Sequence, residues 1–435
     1  MKKIEKISVL ISIVLISLIA IGAVSAADDT ASADDADTVA ASEVQTIESD
    51  QTIDDISYES TDIIVTDTGD SSDSGDVDVA VVDNSSKKSN SLGSSKLAEG
   101  NTKTFTDLQT DLAGSTAILS SDYAYVAADG DTLKNGVVID HDLTIIGGGH
   151  TISGSDLARI FYVNSGKTLT LMGLTLVNGA AENGAAIYND GGSITIASSN
   201  INDNTATKSG GGIYNNGGSL TITSSEINGN DLTDRTVNGY GGAAIYDNGG
   251  TVLISGSTIA NNLKDIVHRG GTGAYTGDLS SAAISTKNGK LTVTESVLEN
   301  NSGSYGGAIL ADGANAELLV SGCTFNKNFA FNGGAIDISS GASYTITDSK
   351  FYNNDAKGTG STNSNYANGG AICAADEDNQ GIITGCEFEN NTAAIGGAIS
   401  SENTIVTECN FTNNTASASN SENFNGKVNN RGGFA

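Results

Sequence analysis

The segment GGAIDISSGASYTITDSKFYNN, residues 333–354, is one copy of a pattern that recurs along most of the chain. The tetrapeptide GGAI, or a close variant, ends at Ile187, Ile213, Ile245, Ile284, Ile309, Ile336, Ile372 and Ile399. Each copy is followed 12 to 16 residues later by Ile, Leu or Phe, and three residues further on by Asn. Self-similarity of this kind is typical of a solenoid, in which each unit buries its apolar face against its neighbours.

The asparagines of this pattern occupy one equivalent position in every copy: Asn204, Asn230, Asn262, Asn301, Asn328, Asn354, Asn391 and Asn414. In a stack of coils they would form a column, because an inward amide can donate to the copy on one side and accept from the copy on the other. We call these eight residues the asparagine column and interpret it as structural.

The local pattern within each repeat favours strands over helices. Short runs such as 137–139, 143–146, 193–199, 219–225 and 343–349 alternate small, β-branched and apolar residues and are bounded by Gly and Asn. The chain has no Pro and has 54 Gly, as expected where most residues donate to a ladder and corners are sharp. A rung of about 25 residues with three short strands predicts an all-β, single-stranded, right-handed parallel β-helix like that of pectate lyases.

The N-terminal part predicts export. Residues 1–26 combine a basic start, an apolar run and small residues before an acidic stretch, which is typical of a cleaved signal peptide, with an uncleaved anchor as the alternative. Residues 27–100 hold 19 Asp plus Glu against 3 Lys and are interpreted as a disordered acidic spacer. Residues 101–435 are the predicted β-helix, and the capping box Thr106-x-x-Gln109 predicts a short helix that covers its first rung.

The C-terminal residues 431–435, RGGFA, look like the opening of a further GGAI rung. We therefore expect a β-helix without a C-terminal cap. An uncapped rung presents unpaired strand groups, which predicts self-association through this end.

The cysteines do not form an obvious disulfide framework. Cys323, Cys386 and Cys409 lie two residues before a Phe, where other repeats have Ser, so a column of small residues is the simplest interpretation. A bond between Cys386 and Cys409 is the alternative, although neighbouring parallel side chains fit disulfide geometry poorly. With no CxxC and three His, we expect no metal and no other cofactor.

Insertions of variable length indicate where a ligand would bind. The interval from the column Asn to the next GGAI is 5, 11, 18, 4, 4, 14 and 4 residues in successive repeats. Insertions on one edge of a solenoid often form its binding surface. The two candidate loops, 231–241 and 263–280, carry aromatic, charged and imidazole side chains suited to sugars, although an ordinary solvated surface has the same composition: Asp234, Arg235, Tyr240, Lys264, Asp265, His268, Arg269, Tyr275 and Asp278.

The paired motifs GGAI and FxxN resemble the repeat of polymorphic outer-membrane proteins, which are autotransported β-helical adhesins. With the signal peptide, the acidic spacer and the segment 137–154, the chain is more similar to the large adhesin-like surface proteins of methanogenic archaea. This resemblance implies a β-helix displayed at the cell surface.

We therefore expect a secreted or cell-surface, non-enzymatic, adhesin-like protein that binds glycans or surface proteins of another cell. The net charge of −31 argues against nucleic acid as a partner. A polysaccharide lyase or glycosidase is the first alternative, for which the candidate groups are the cluster Asp265, His268 and Arg269 and the acidic run 376–378. A purely structural surface spacer is the second.

Overall fold

The computed structural model describes residues 102–233, 241–262, 281–357, 367–417 and 432–434. Three long sheets, A, B and C, and two short ones, D and E, hold the strands of this part of the chain. Sheet A has twelve strands: Lys103–Thr104, Tyr123–Ala124, Thr151–Ser153, Thr175–Val177, Asn200–Asn202, Glu226–Asn228, Thr258–Ala260, Val297–Glu299, Thr324–Asn326, Lys350–Tyr352, Glu387–Glu389 and Asn410–Thr412.

Sheet B has eleven strands: Thr116–Ile118, Leu143–Ile146, Thr168–Met172, Ser193–Ala197, Ser219–Thr223, Thr251–Ser255, Lys290–Thr294, Glu317–Ser321, Ser343–Thr347, Gln380–Thr384 and Thr404–Thr407. Sheet C also has eleven: Val137–Ile139, Phe161–Val163, Ile187–Asn189, Ile213–Asn216, Gly241–Asn248, Ser281–Lys287, Ile309–Asp312, Ile336–Ser339, Ile372–Ala374, Ile399–Ser401 and Gly432–Phe434.

Sheets D and E are short and lie between sheets A and C in chain order. Sheet D comprises Ala180–Asn183, Thr205–Ser209 and Asp231–Leu232, and sheet E comprises Phe329–Ala330, Asp355–Ala356, Thr392–Ala393 and Thr415–Ala416. One rung therefore passes through sheets B, A, D or E, and C before it returns to B. Successive rungs pair in parallel register, as in Ile187 with Ile213 and Ile194 with Leu220. The predicted parallel β-helix is confirmed.

The interior of the coil is one continuous apolar core. The eight GGAI isoleucines are fully buried. Phe325, Phe351, Phe388 and Phe411 stack face to face inside it, with ring centroids 4.7, 4.8 and 4.9 Å apart. Rungs stacked in register thus place like side chains in columns, and this explains the period of the sequence.

The two glycines of GGAI serve different needs at the corner that leads into sheet C. Gly369 has a φ of 65°, in the left-handed region that favours glycine. Gly370 has no such φ, but a Cβ there would overlap the carbonyl oxygen of Gly397 on the next rung. The motif is therefore set by backbone conformation at its first position and by close approach at its second.

A helix covers the first rung, but its N-terminal cap differs from the prediction. The helix spans Phe105–Asp111, and the capping box is formed by Thr104 and Asp107 rather than by Thr106 and Gln109. The Thr106 hydroxyl instead donates to Asp129 Oδ1 at 2.7 Å. The earlier start buries Phe105, together with Leu108, against the core. A 3₁₀ turn, Ala127–Asp129, and a short helix, Gly130–Lys134, follow.

The C-terminal strand also differs from the expected geometry. Gly432–Phe434 pairs with Ile399–Ser401 in antiparallel register and does not open a further parallel rung. The N–H and C=O groups of a strand edge can pair with a strand of either direction, so the repeat motif alone does not fix the outcome.

The four cysteines are free thiols. Cys323 continues the serine column, since its N–H donates to Ser349 Oγ at 3.1 Å just as Ser225 N–H donates to Ser257 Oγ. Cys386 and Cys409 are both free thiols, so the alternative of a disulfide bond between them is not formed.

Candidate functional site

The nine residues of the predicted binding loops lie outside the described residues, so their positions are not given by the structure: Asp234, Arg235, Tyr240, Lys264, Asp265, His268, Arg269, Tyr275 and Asp278. The described residues show where the two loops leave and rejoin the β-helix.

Both loops join the coil at neighbouring positions. Before the loops, Asn230 and Asn262 are in contact, with Asn230 Nδ2 donating to Asn262 Oδ1 at 3.1 Å. After the loops, Gly241 and Ser281 are register partners in sheet C. The Ser285 hydroxyl, on the second of these strands, donates to Gly241 O at 3.0 Å. The start and the end of each loop therefore adjoin those of the other.

The strands that follow the loops are the longest of sheet C. Gly241–Asn248 has 8 residues and Ser281–Lys287 has 7, whereas the other described strands of this sheet have 3 or 4. The extra residues pair with each other, and a bulge between Gly242 and Ile245 separates them from the regular register. Bulges of this kind redirect a strand at the edge of a site. Sheet C is thus extended where the loops rejoin it.

A row of four tyrosines lies on the outer face of sheet C and ends on the strand Gly241–Asn248. We call Tyr162, Tyr188, Tyr214 and Tyr246 the tyrosine ladder. Successive ring centroids are 5.1, 5.0 and 5.2 Å apart, and the first three rings are within 4° of parallel. Tyr246 belongs to the strand that begins at Gly241, directly after the first loop.

The tyrosine ladder offers ring edges and hydroxyls rather than open ring faces. The ring faces of Tyr188 and Tyr214 are covered by neighbouring rings, and the Arg159 guanidinium lies 5.8 Å from the Tyr162 centroid and 5.2 Å from that of Tyr188. Burial raises the pKa of Tyr188 and of Tyr214, so both phenols are neutral at pH 7 and able to donate. Because the ring faces of Tyr188 and Tyr214 are covered, a sugar cannot stack on them.

A polar row runs beside the tyrosine ladder. Asn248 Nδ2 donates to Asn216 Oδ1 at 3.0 Å, and Asn216 Nδ2 donates to Asp190 Oδ1 at 3.1 Å. The Tyr162 hydroxyl donates to the other Asp190 oxygen at 3.0 Å. Amides, a carboxylate and phenols at the spacing of the rungs are groups that hydrogen-bond the hydroxyls of a sugar chain.

The asparagine column forms a continuous ladder of side-chain hydrogen bonds inside the coil. From Asn204 to Asn414, each Nδ2 donates to the Oδ1 of the next member, at 2.9 to 3.2 Å. Each Oδ1 also accepts the backbone N–H of the preceding member, as in Asn328 N to Asn354 Oδ1 at 3.0 Å. The side-chain amides of the asparagine column form their hydrogen bonds within the fold and are therefore not available to bind a ligand.

Two further columns of the structure were not predicted from the sequence. The tyrosine ladder is signalled by Tyr directly after the GGAI isoleucine in three repeats, at 188, 214 and 246. An inward polar column follows it, where Asn189 donates to Asn215 and Asn215 to Asp247, both at 2.7 Å. This column ends where Thr286 Oγ1 donates to Asp247 Oδ2 at 2.9 Å.

Farther along the outer face of sheet C, the position of the tyrosine ladder holds acidic and thiol groups. Asp337 and Cys373 are register partners and both are buried. Burial raises the pKa of Asp337 to about 7, and the nearby carboxylates of Asp376 and Asp312 raise it too. Burial also raises the pKa of the Cys373 thiol well above its ordinary value, so it is a poor nucleophile.

The two histidines of the first rungs pair locally. His150 Nδ1 lies 3.1 Å from Asp122 Oδ1, and His141 Nδ1 lies 2.8 Å from Asp140 Oδ1. In the part of the chain that the structure describes, no group of three or more His, Cys, Asp or Glu side chains is arranged to hold a metal ion. Within the same part, no helix has the length and apolar character needed to cross a membrane.

A segment of the last rungs matches a family model. Residues 385–402 match the Chlamydia polymorphic membrane protein repeat. The matched segment contains Phe388, the column residue Asn391 and the GGAI that ends at Ile399, so it runs from sheet A through sheet E to sheet C. No curated protein and no solved structure gives a significant match. Over this one rung the chain is similar to the polymorphic membrane protein repeat.

Proposed function

We propose that the chain is an exported, adhesin-like protein that binds glycans or surface proteins of another cell. Binding would use the loops 231–241 and 263–280, which carry Arg235, His268, Arg269 and Tyr275 among the candidate residues. The observation that supports this proposal is the register pairing of Gly241 with Ser281, because it puts the ends of both loops on neighbouring rungs. Side chains from two loops can then act on one ligand.

The surroundings of the loops support a polar ligand. The tyrosine ladder ends at Tyr246, and the row of Asp190, Asn216 and Asn248 runs beside it. Arg159 donates to three backbone carbonyl oxygens, those of Gly184, Asn135 and Asn183, and is thereby committed to the fold. A neutral glycan fits this surface better than a strongly anionic one.

The proposed location is the cell surface or the medium. The signal-peptide pattern of residues 1–26 and the match of 385–402 to a polymorphic membrane protein repeat support it, and the resemblance to adhesin-like proteins of methanogenic archaea is compatible with it. The same proposal includes self-association through the C-terminal rung by the ends of sheets A and B, because Gly432–Phe434 already pairs with Ile399–Ser401 in sheet C. Processing after Ala26 would be read from the intact mass of the exported chain.

A glycan array probed with the full chain tests the binding proposal. We expect retention on a restricted group of glycans and loss of that retention in Arg235→Ala with Arg269→Ala. The matched control is Lys134→Ala with Lys350→Ala, which removes two exposed positive charges elsewhere and should bind like the parent. Retention on no glycan and no cell-surface protein would favour the spacer, and release of shortened glycans would favour a polysaccharide lyase or glycosidase.

A further inference from the structure

The outer face of sheet B carries almost no charge. Its eleven strands contain two charged residues, Lys290 and Glu317, and these pair at 2.8 Å. The chain as a whole has a net charge of −31. This face is therefore electrically neutral on a strongly acidic protein.

The middle of this face is a straight row of threonines and aliphatic residues. We call it the sheet B ridge, and its members are register partners along the coil: Thr116, Thr144, Thr170, Thr195, Thr221, Leu253, Thr292, Leu319, Thr345, Ile382 and Ile405. The exposed fractions of Leu253, Leu319, Ile382 and Ile405 are 37, 42, 44 and 61%. These four aliphatic side chains share one row of the face with Thr292 and Thr345, and exposed apolar side chains grouped on one surface are typical of an interaction site.

The later rungs of the face also form a groove. Its volume is about 640 Å³, and Lys290, Leu319, Tyr344, Ile382 and Ile405 line it. The Tyr344 ring crosses the next rung at Gly381, where a Cβ would overlap the ring.

The size of the face matches that of a stable protein interface. Eleven strands spaced about 4.8 Å apart make a length of roughly 50 Å, and five-residue strands make a width of roughly 16 Å. The product is roughly 800 Å², the area that each partner contributes to an interface of standard size. Flat β-sheets pack face to face at about 10 Å with their strands nearly aligned.

We propose that sheet B packs against sheet B of a second copy of this chain. Two copies with a net charge of −31 repel each other over most of their surfaces, and the neutral face allows the closest approach. The loop-bearing edge at sheet C stays free, so this inference does not depend on the proposed function.

Sedimentation of the full chain over a wide concentration range tests the inference. The parent should dimerise, more tightly at high salt because repulsion between the copies is screened. Leu319→Lys with Ile382→Lys should weaken dimerisation by about a hundredfold or more, because unpaired ammonium groups would be buried. The control, Val297→Lys with Asn410→Lys, adds the same charge to exposed positions of sheet A and should dimerise like the parent.

Small-angle scattering of the parent gives a second measurement that needs no variant. Face-to-face packing increases the cross-sectional radius of gyration on dimerisation, whereas docking through the C-terminal rung leaves it unchanged. A monomeric parent, an unchanged cross-section in the dimer, or equal dimerisation of the two lysine variants would overturn the inference.

Discussion

Asn354 Nδ2 donates to Asn391 Oδ1 at 2.9 Å, across a separation of 37 residues in the sequence. The interval spans an insertion of 14 residues, yet the contact equals the one between Asn391 and Asn414, which are 23 residues apart. The fold therefore absorbs differences in rung length outside the asparagine column. Insertions can vary in length without loss of the asparagine column, which holds neighbouring rungs in register.

Replacement of one member of the asparagine column should destabilise the β-helix. In Asn354→Leu, Asn328 N–H and Nδ2 lose their acceptor and Phe325 O loses a donor. Each buried group left unpaired costs about 1 to 3 kcal/mol. Chemical denaturation should show a lower free energy of unfolding, while the exposed Asn410→Leu stays close to the parent. Equal stability of the two variants would contradict a structural role for the column.

The stacked phenylalanines should tolerate a change of shape better than a loss of volume. The Phe351 ring lies between Phe325 and Phe388, 4.7 and 4.8 Å away. Phe351→Ala should lower the free energy of unfolding by about 3 to 5 kcal/mol. Phe351→Leu should cost clearly less, because Leu298 already fills this position on another rung. Identical losses in thermal unfolding would show that the ring is not packed in the core.

The second glycine of GGAI should be intolerant of a side chain. In Gly370→Ala, the added methyl group overlaps Gly397 O and must displace the next rung, at a cost of at least about 1 to 3 kcal/mol. Gly114→Ala is the control, since the nearest atom to its added Cβ is 3.7 Å away. The two melting temperatures should differ by several degrees, with Gly114→Ala close to the parent. A Gly370→Ala protein that melts with the parent would contradict the close approach of these rungs.

Asp337 should make the stability of the fold depend on pH. Burial raises its folded pKa to about 7 from the ordinary value of 3.8. The folded state therefore keeps a proton that the unfolded state loses, and the stabilising contribution is complete below about pH 4 and lost as the pH rises through 7.

Asp337→Asn cannot ionise, so it should remove this decline and exceed the parent in stability at pH 8 by on the order of 4 kcal/mol. Denaturation at pH 5 and pH 8 measures the difference, with the exposed Asp131→Asn as control. A parent and an Asp337→Asn protein with the same pH dependence would show that the Asp337 carboxylate is solvated.

The repeat period predicted the architecture because the same constraint acts on every rung. Ile187 and Ile213 are 26 residues apart and register partners, so a pattern in the sequence translates directly into a column in space. Features that occur once have no such redundancy. Thr104 and Thr106 both offer the spacing of a capping box, and only the burial of Phe105 decides between them. The direction of Gly432–Phe434 is likewise decided by pairing with Ile399–Ser401 and not by its GG motif.

The sequence predicted that the insertions leave the coil at one edge, but not what surrounds their junctions. The lopsided insertion lengths indicated one edge, and the pairing of Gly241 with Ser281 shows the junctions of two loops together there. The tyrosine ladder was missed because Tyr188 and Tyr214 alternate with buried isoleucines, so they look like ordinary strand residues. Their importance follows from stacking along the coil, which a single repeat does not display.

Shortening the loops and measuring binding tests most directly whether the inserted loops form the binding site. In one variant residues 263–280 are replaced by 329–332, FAFN, the natural short connection between Asn328 and the next GGAI; in the control the same four residues replace 355–368. Both keep the asparagine column and both should fold. On a glycan array we expect the parent and the control to retain the same glycans and the 263–280 variant to lose them. Binding that survives in the 263–280 variant and disappears in the control would contradict the assignment of the site.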